Sequence, residues 1–168
     1  PLDPEDFERQ VLFLKEHYTV LDLEELIDRS IRGDIPPKRV AITFDDGYRD
    51  NYDVAFPILR RHGVPATVFL TTSAINNERK IWHDRIFDSF RFSSSNDQTM
   101  VLEDVLDRAK SMSSGERRTY VARIEEILMP EVPEEFRSPM LSWNQVLEMH
   151  QAGITFGSHT CTHPNLAR

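Results

Sequence analysis

Apolar positions at Phe7, Val11, Leu12 and Leu14 recur at helical spacing and predict an amphipathic helix over residues 5–17. Tyr18 to Leu21 follows as a short strand. Asp22 with Glu25 has the form of a capping box, after which Leu23, Leu26 and Ile27 carry a second helix until Gly33 and Pro36-Pro37 break it. Val40-Ala41-Ile42-Thr43-Phe44 is mostly apolar and rich in β-formers, the pattern of a central parallel strand covered on both faces. It stops abruptly at Asp45-Asp46-Gly47. A helix over residues 51–62 runs through Val54, Ile58 and Leu59 to Gly63, and Pro57 must lie in or near its first turn to avoid a kink. Ala66 to Leu70 is a second buried strand. Strand, helix, strand predicts a βαβ unit. Ligands of such sheets bind beyond the carboxyl ends of the strands, which is where the Asp pair lies.

Residues 74–139 read differently. Helical periodicity returns around 82–90, 100–110 and 117–128, separated by Ser93 to Asn96 and by Ser111 to Gly115, and an acidic, proline-bearing stretch from Pro130 to Pro139 closes the segment. This is the pattern of a helical insertion. Ser142 with Gln145 then opens a capped helix that Gly153 ends. Ile154-Thr155-Phe156 is a third short strand, delivering Ser158-His159 to the same sheet edge as the Asp pair. The expected fold class is α/β.

A chain of 168 residues can bury one good core, and a net charge of −8 argues against nucleic acid as the main partner. A neutral substrate, or one that becomes cationic as product, suits that charge better. The single cysteine, Cys161, excludes an intrachain disulfide. No apolar run approaches a membrane span. Because the chain begins at Pro1, the natural N-terminus is expected to have been removed, so the lack of a leader carries no information on compartment.

Two stretches concentrate the chemistry: Thr43-Phe44-Asp45-Asp46-Gly47-Tyr48 and Ser158-His159-Thr160-Cys161-Thr162-His163-Pro164. His159 and His163 are four residues apart, which places both imidazoles on one side of a helical turn, with Pro164 ending it. Adjacent Asp side chains on a strand point to opposite faces, so both serve one site only where the chain turns, and Gly47 permits a turn. Two imidazoles and one carboxylate form a set suited to Zn²⁺ or another first-row divalent ion. The remaining carboxylate can take a proton from water, the arrangement of metal-assisted hydrolysis.

These stretches resemble, in residue type, spacing and order, the first two motifs of the NodB-homology polysaccharide deacetylases, a family of carbohydrate esterases. Pro57-Ile58-Leu59 through Gly63-Val64-Pro65-Ala66-Thr67-Val68-Phe69-Leu70 is similar to members acting on bacterial exopolysaccharides, as is Leu141-Ser142-Trp143 through Ala152-Gly153. The resemblance implies a distorted (β/α) barrel, here incomplete, with the helical insertion at about 74–139. It implies Asp45 as general base and Asp46, His159 and His163 as ligands of one divalent ion, zinc first, with cobalt, nickel or manganese as alternatives. The implied reaction removes acetyl groups from an N-acetylated polysaccharide of the N-acetylglucosamine type. The implied setting is the bacterial cell envelope or beyond.

The family's later motifs are an Arg-Pro segment orienting the base, an Asp-Trp segment lining the acetyl pocket and a Leu-x-His segment carrying the general acid. The chain ends at Arg168 with none of them. It therefore resembles the first part of a catalytic domain, expected to be weak or inactive alone, and its open sheet edges favour a homo-oligomer. Two other readings share the motifs: an amide hydrolase acting on a small molecule, and an inactive carbohydrate-binding module. A phosphoryl-transfer reading of the Asp pair leaves His159 and His163 unexplained. Tyr48 either lines the sugar groove or sits at its solvent rim. Cys161 reads as a small packed hydrophobe, and Trp82-His83-Asp84 as a core tryptophan beside solvated polar residues.

Overall fold

Asp3 opens the first helix by accepting a hydrogen bond from the Glu5 N–H (2.9 Å), and Pro4 takes the first helical position, where its missing N–H is not needed. In the computed structural model, which describes residues 3–76, 80–95, 100–136 and 140–166 apart from the side chain of Glu135, the elements run α1 (Pro4–His17), β1 (Thr19–Val20), α2 (Leu23–Ile31), β2 (Arg39–Val40) and β3 (Thr43–Phe44). A π-helical turn (Asn51–Ala55) leads into α3 (Phe56–His62) and β4 (Thr67–Leu70). Then come α4 (Trp82–Arg91), α5 (Leu102–Lys110), α6 (Ser114–Leu128), a short 3₁₀ turn (Glu134–Phe136), α7 (Trp143–Gln151) and β5 (Thr155–Ser158). The chain folds as two units: Pro1–Leu70 with Leu141–His159, and Thr71–Met140 with Thr160–Arg168.

The first unit holds every strand among the described residues and is α/β. β1 pairs with β2, and β3, β4 and β5 form a second sheet in that order, all parallel. The register sets Phe44, Val68 and Phe156 side by side. Val68 and Leu70 are buried on one side of β4, and the hydroxyls of Thr67 and Thr155 meet at 2.6 Å on the other. Gly157 is required by a close approach: a Cβ there would lie 2.6 Å from the Phe69 ring on the neighbouring strand. Val11, Leu59, Met149 and Ile154 are among the other buried residues of this unit. α1 packs on α3, with Glu8 accepting from His62 (2.6 Å) and Arg61 (2.9 Å).

The expected strand–helix–strand unit is present as β3–α3–β4, but three local expectations are corrected. The run Val40 to Phe44 is not one strand covered on both faces: it divides into β2, which pairs with β1, and β3, which pairs with β4, and Thr43 is exposed. Residues 51–62 are not uniformly α-helical. Phe56 N–H bonds to the Asn51 carbonyl five residues back, and the widened turn precedes Pro57, which has no N–H to donate. Asp22 caps α2 through the Glu24 N–H (2.8 Å), while Glu25 binds Arg29 instead of closing a capping box.

The second unit is helical. Ile86, Val105, Ala109, Val121, Ile124 and Leu128 form its core, with Trp82, Phe90 and Tyr120 packed against it. Arg85 binds Glu125 through two bonds (2.8 and 2.6 Å), tying α4 to α6. α6 begins at Ser114, three residues before its apolar periodicity, because Ser113 and Glu116 form a reciprocal capping box. The acidic, proline-bearing stretch that closes this segment contains the 3₁₀ turn at Glu134–Phe136, and its last residues, 137–139, lie outside those described.

Candidate metal centre

β3 ends in a three-residue turn: Gly47 N–H donates to the Asp45 carbonyl (2.9 Å), with Asp46 at φ 72° and Gly47 at φ 83°. Asp tolerates the left-handed region better than most residues, and Gly47 enters it without a Cβ penalty. Leu141 N–H, just before α7, donates to the Gly47 carbonyl (2.9 Å) and fixes the turn's far side. The turn breaks the strand alternation, so Asp45 and Asp46 both reach the same neighbour. That neighbour is His159, delivered by β5, whose N–H donates to the Leu70 carbonyl of β4 (2.8 Å).

The imidazole stands with one nitrogen toward each carboxylate. Nε2 lies 3.6 Å from Asp46 Oδ1 and Nδ1 lies 3.9 Å from Asp45 Oδ1. The carboxylates differ in setting: the Asp46 side chain is 16% exposed and that of Asp45 is 64% exposed. A separation of 3.6 Å is long for a hydrogen bond. It is close to the roughly 3.4 Å between two donors that share one tetrahedral ion at about 2.0–2.1 Å bond lengths. On this geometry Asp46 and His159 fit a small divalent ion, and Asp45 is the more open carboxylate.

His163 belongs to the second unit. The backbone from His159 to His163 is not the helical turn that the four-residue spacing predicts: Thr160 (φ 68°) and His163 (φ 53°) are both left-handed. The pair follows a strand directly and precedes Pro164, so no helix has room to start. Thr160 Oγ1 accepts the His163 N–H (3.0 Å), and the His163 ring meets that of His83 at 5.1 Å between centroids, edge to face. His83 is thus half-buried beside His163 and not the solvated residue expected; Trp82 is half-buried against the core as expected. Only the sequence neighbourhood Trp82-His83-Asp84 hinted at this, since the contact joins residues far apart in the chain. Cys161 is exposed and does not pack as a hydrophobe. Tyr48, following the turn, is half-buried.

Residues 32–168 match the polysaccharide deacetylase family model. A poly-beta-1,6-N-acetyl-D-glucosamine N-deacetylase of Staphylococcus epidermidis is 39% identical over 74 residues, 44% of this chain and 26% of that protein. The putative polysaccharide deacetylase YxkH of Bacillus subtilis is 41% identical over 49 residues, 29% of this chain and 18% of that one. Among solved structures, the deacetylase PplD of Streptococcus pyogenes in complex with acetate superposes with a TM-score of 0.58 at 23% identity, covering 98% of this chain and 48% of that one. IcaB from Ammonifex degensii gives 0.57 at 18% identity, covering 94% and 45%. The chain therefore spans about half the length of the solved chains it matches. No helix among the described residues is long and apolar enough to cross a membrane. A family match over residues 32–168, most of the chain, makes this chain a member of the polysaccharide deacetylases.

Proposed function

We propose that residues 1–168 are part of a deacetylase catalytic domain, with 74–139 as its insertion, and that the whole protein hydrolyses N-acetyl groups from a polysaccharide of N-acetylglucosamine type. The observation that carries the reading is the His159 imidazole set against both Asp45 and Asp46 at the carboxyl edge of a parallel sheet. Asp46, His159 and His163 are the proposed ligands of one divalent ion, zinc first. When bound there, such an ion would supply Lewis-acid polarisation of the amide carbonyl and a lowered pKa for water. Asp45, left outside that set, accepts the proton from the attacking water at its carboxylate. The amide carbon–nitrogen bond then breaks, leaving acetate and a sugar amine, and the amine must take up a proton. Tyr48 is assigned to the sugar groove. A polymer of this kind is met at the cell envelope, the compartment this reading assigns.

The test is acetate release by the whole protein, with zinc added, from β-1,6-linked N-acetylglucosamine oligomers. Release that Asp45→Asn abolishes supports the reading. Release only from small amides would move the protein to the amide hydrolases. Binding of the oligomers without release from any acetylated substrate would make it an inactive binding module.

A further inference from the structure

The loop that carries His163 is hydrogen-bonded at successive residues to the rest of the second unit, first to the turn after β4 and then to its helices. Thr72 N–H donates to the Thr160 carbonyl (3.1 Å), and Ser73 N–H to the Cys161 carbonyl (3.0 Å). The Thr162 hydroxyl meets that of Ser114 at 3.0 Å, at the start of α6. The His163 carbonyl then receives two donors from two helices: Trp82 Nε1 of α4 at 2.9 Å and Arg117 Nη1 of α6 at 3.5 Å.

Neither donor is a casual surface contact. The indole has a single N–H, and it is spent here. Arg117 is 3% exposed. Its Nε donates to the Ala109 carbonyl (2.9 Å) and its Nη2 to the Met112 carbonyl (2.8 Å), so the carboxyl end of α5 holds the guanidinium in place. The guanidinium also lies over the Trp82 ring at 4.8 Å, and the two donors brace each other. Trp82 in turn meets His83 edge to face at 5.4 Å, and His83 meets His163 at 5.1 Å. His163 is left-handed at φ 53°, a conformation that persists in a residue with a Cβ only when its surroundings over-determine it. The clamp on its carbonyl supplies that constraint.

We propose that Trp82 and Arg117 are positioning residues for His163, and that the helical insertion serves as the frame for the second histidine of the motif. By fixing the carbonyl they fix the backbone of His163, and so the direction in which its imidazole is offered to a divalent ion. The inference rests on the reading of His163 as a metal ligand.

Calorimetric titration of the whole protein with Zn²⁺, and the visible absorption of its Co²⁺ form, test it. Trp82→Phe keeps an aromatic ring, though a smaller one, and removes the donor. It is expected to weaken Zn²⁺ binding about 10-fold, as loss of an outer-shell partner does, and to shift the cobalt bands, with the melting temperature near that of wild type. Arg117→Lys is expected to bind more tightly than Arg117→Met. Tyr120→Phe, in the same core, is expected to bind as wild type; an equal loss there would assign the effect to a loosened core and overturn the proposal. Wild-type affinity and an unchanged cobalt spectrum in Trp82→Phe would also overturn it. His163→Ala separates the two readings: if it loses zinc while Trp82→Phe does not, only the clamp fails, whereas undiminished binding in His163→Ala removes the metal role and the clamp together.

Discussion

Nε2 of His159 lies 3.6 Å from Oδ1 of Asp46, longer than a hydrogen bond and close to the separation of two donors that would share one small ion. Removing either group takes away a proposed ligand, not a supporting contact. Asp46→Ala and His159→Ala are therefore each expected to weaken Zn²⁺ binding by more than the roughly 10–100-fold that an outer-shell loss costs. Asp45→Asn is expected to keep wild-type affinity while acetate release from the whole protein disappears. Calorimetry on the variants decides the matter, and equal affinity in wild type and Asp46→Ala would take Asp46 out of the ligand set.

Gly157 faces the Phe69 ring so closely that a Cβ would sit 2.6 Å from two ring carbons. Gly157→Ala must push the ring aside, and overpacking of this kind costs about 1–3 kcal/mol. With Phe69→Ala already in place the methyl meets no ring, and the same substitution should be close to neutral. A double-mutant cycle from denaturant unfolding measures the coupling; two additive losses would show that the ring moves at no cost.

The strand–helix–strand core and the two polar stretches at its edge could be read from local pattern, because β-rich runs, Gly63 and the Ser142–Gln145 box are short-range signals. The start of α6 was equally present as Ser113-x-x-Glu116, but Gly115 inside that box reads as a breaker and hides it. Other features had no local signature. The division of Val40 to Phe44 between two sheets depends on which strands pair. The left-handed backbone at Thr160 and His163 replaces a helical turn that spacing alone favours, and the approach of His83 to His163 spans some eighty residues of chain. That the Asp turn and His159 share one sheet edge could be read from the sequence, whereas the partners of His163 could not.

That hidden capping box makes a stability prediction. The Ser113 hydroxyl accepts from the Glu116 N–H (3.4 Å); the same hydroxyl (2.6 Å) and the Ser113 backbone N–H (2.9 Å) both donate to Glu116 Oε2, and these two bonds to the carboxylate hold it below its ordinary pKa. Ser113→Ala is expected to lower the melting temperature by about 2–4 °C, the usual effect of losing an N-cap in a chain of this size. Ser113→Asp, which retains an acceptor, should recover most of it. An alanine variant that melts with wild type would show that α6 is held by its packing alone.

Glu8 gives a pH dependence of defined sign. Its carboxylate accepts from His62 Nε2 at 2.6 Å and from Arg61 Nη1 at 2.9 Å, and these bonds, the histidine's first, draw its pKa below the ordinary value of 4.5. A carboxyl with a depressed folded-state pKa contributes stability that is present above the unfolded value and is lost as the pH falls through the folded one. Glu8→Gln keeps an acceptor but not the charge, so it should melt below wild type near neutral pH. Below about pH 4.5 the wild-type carboxyl gains its proton and the two melting curves should converge. Thermal melts of both proteins from neutral to acid pH follow the gap directly. A gap that persists unchanged at the acid end would mean that the charge on Glu8 adds nothing to the α1–α3 contact.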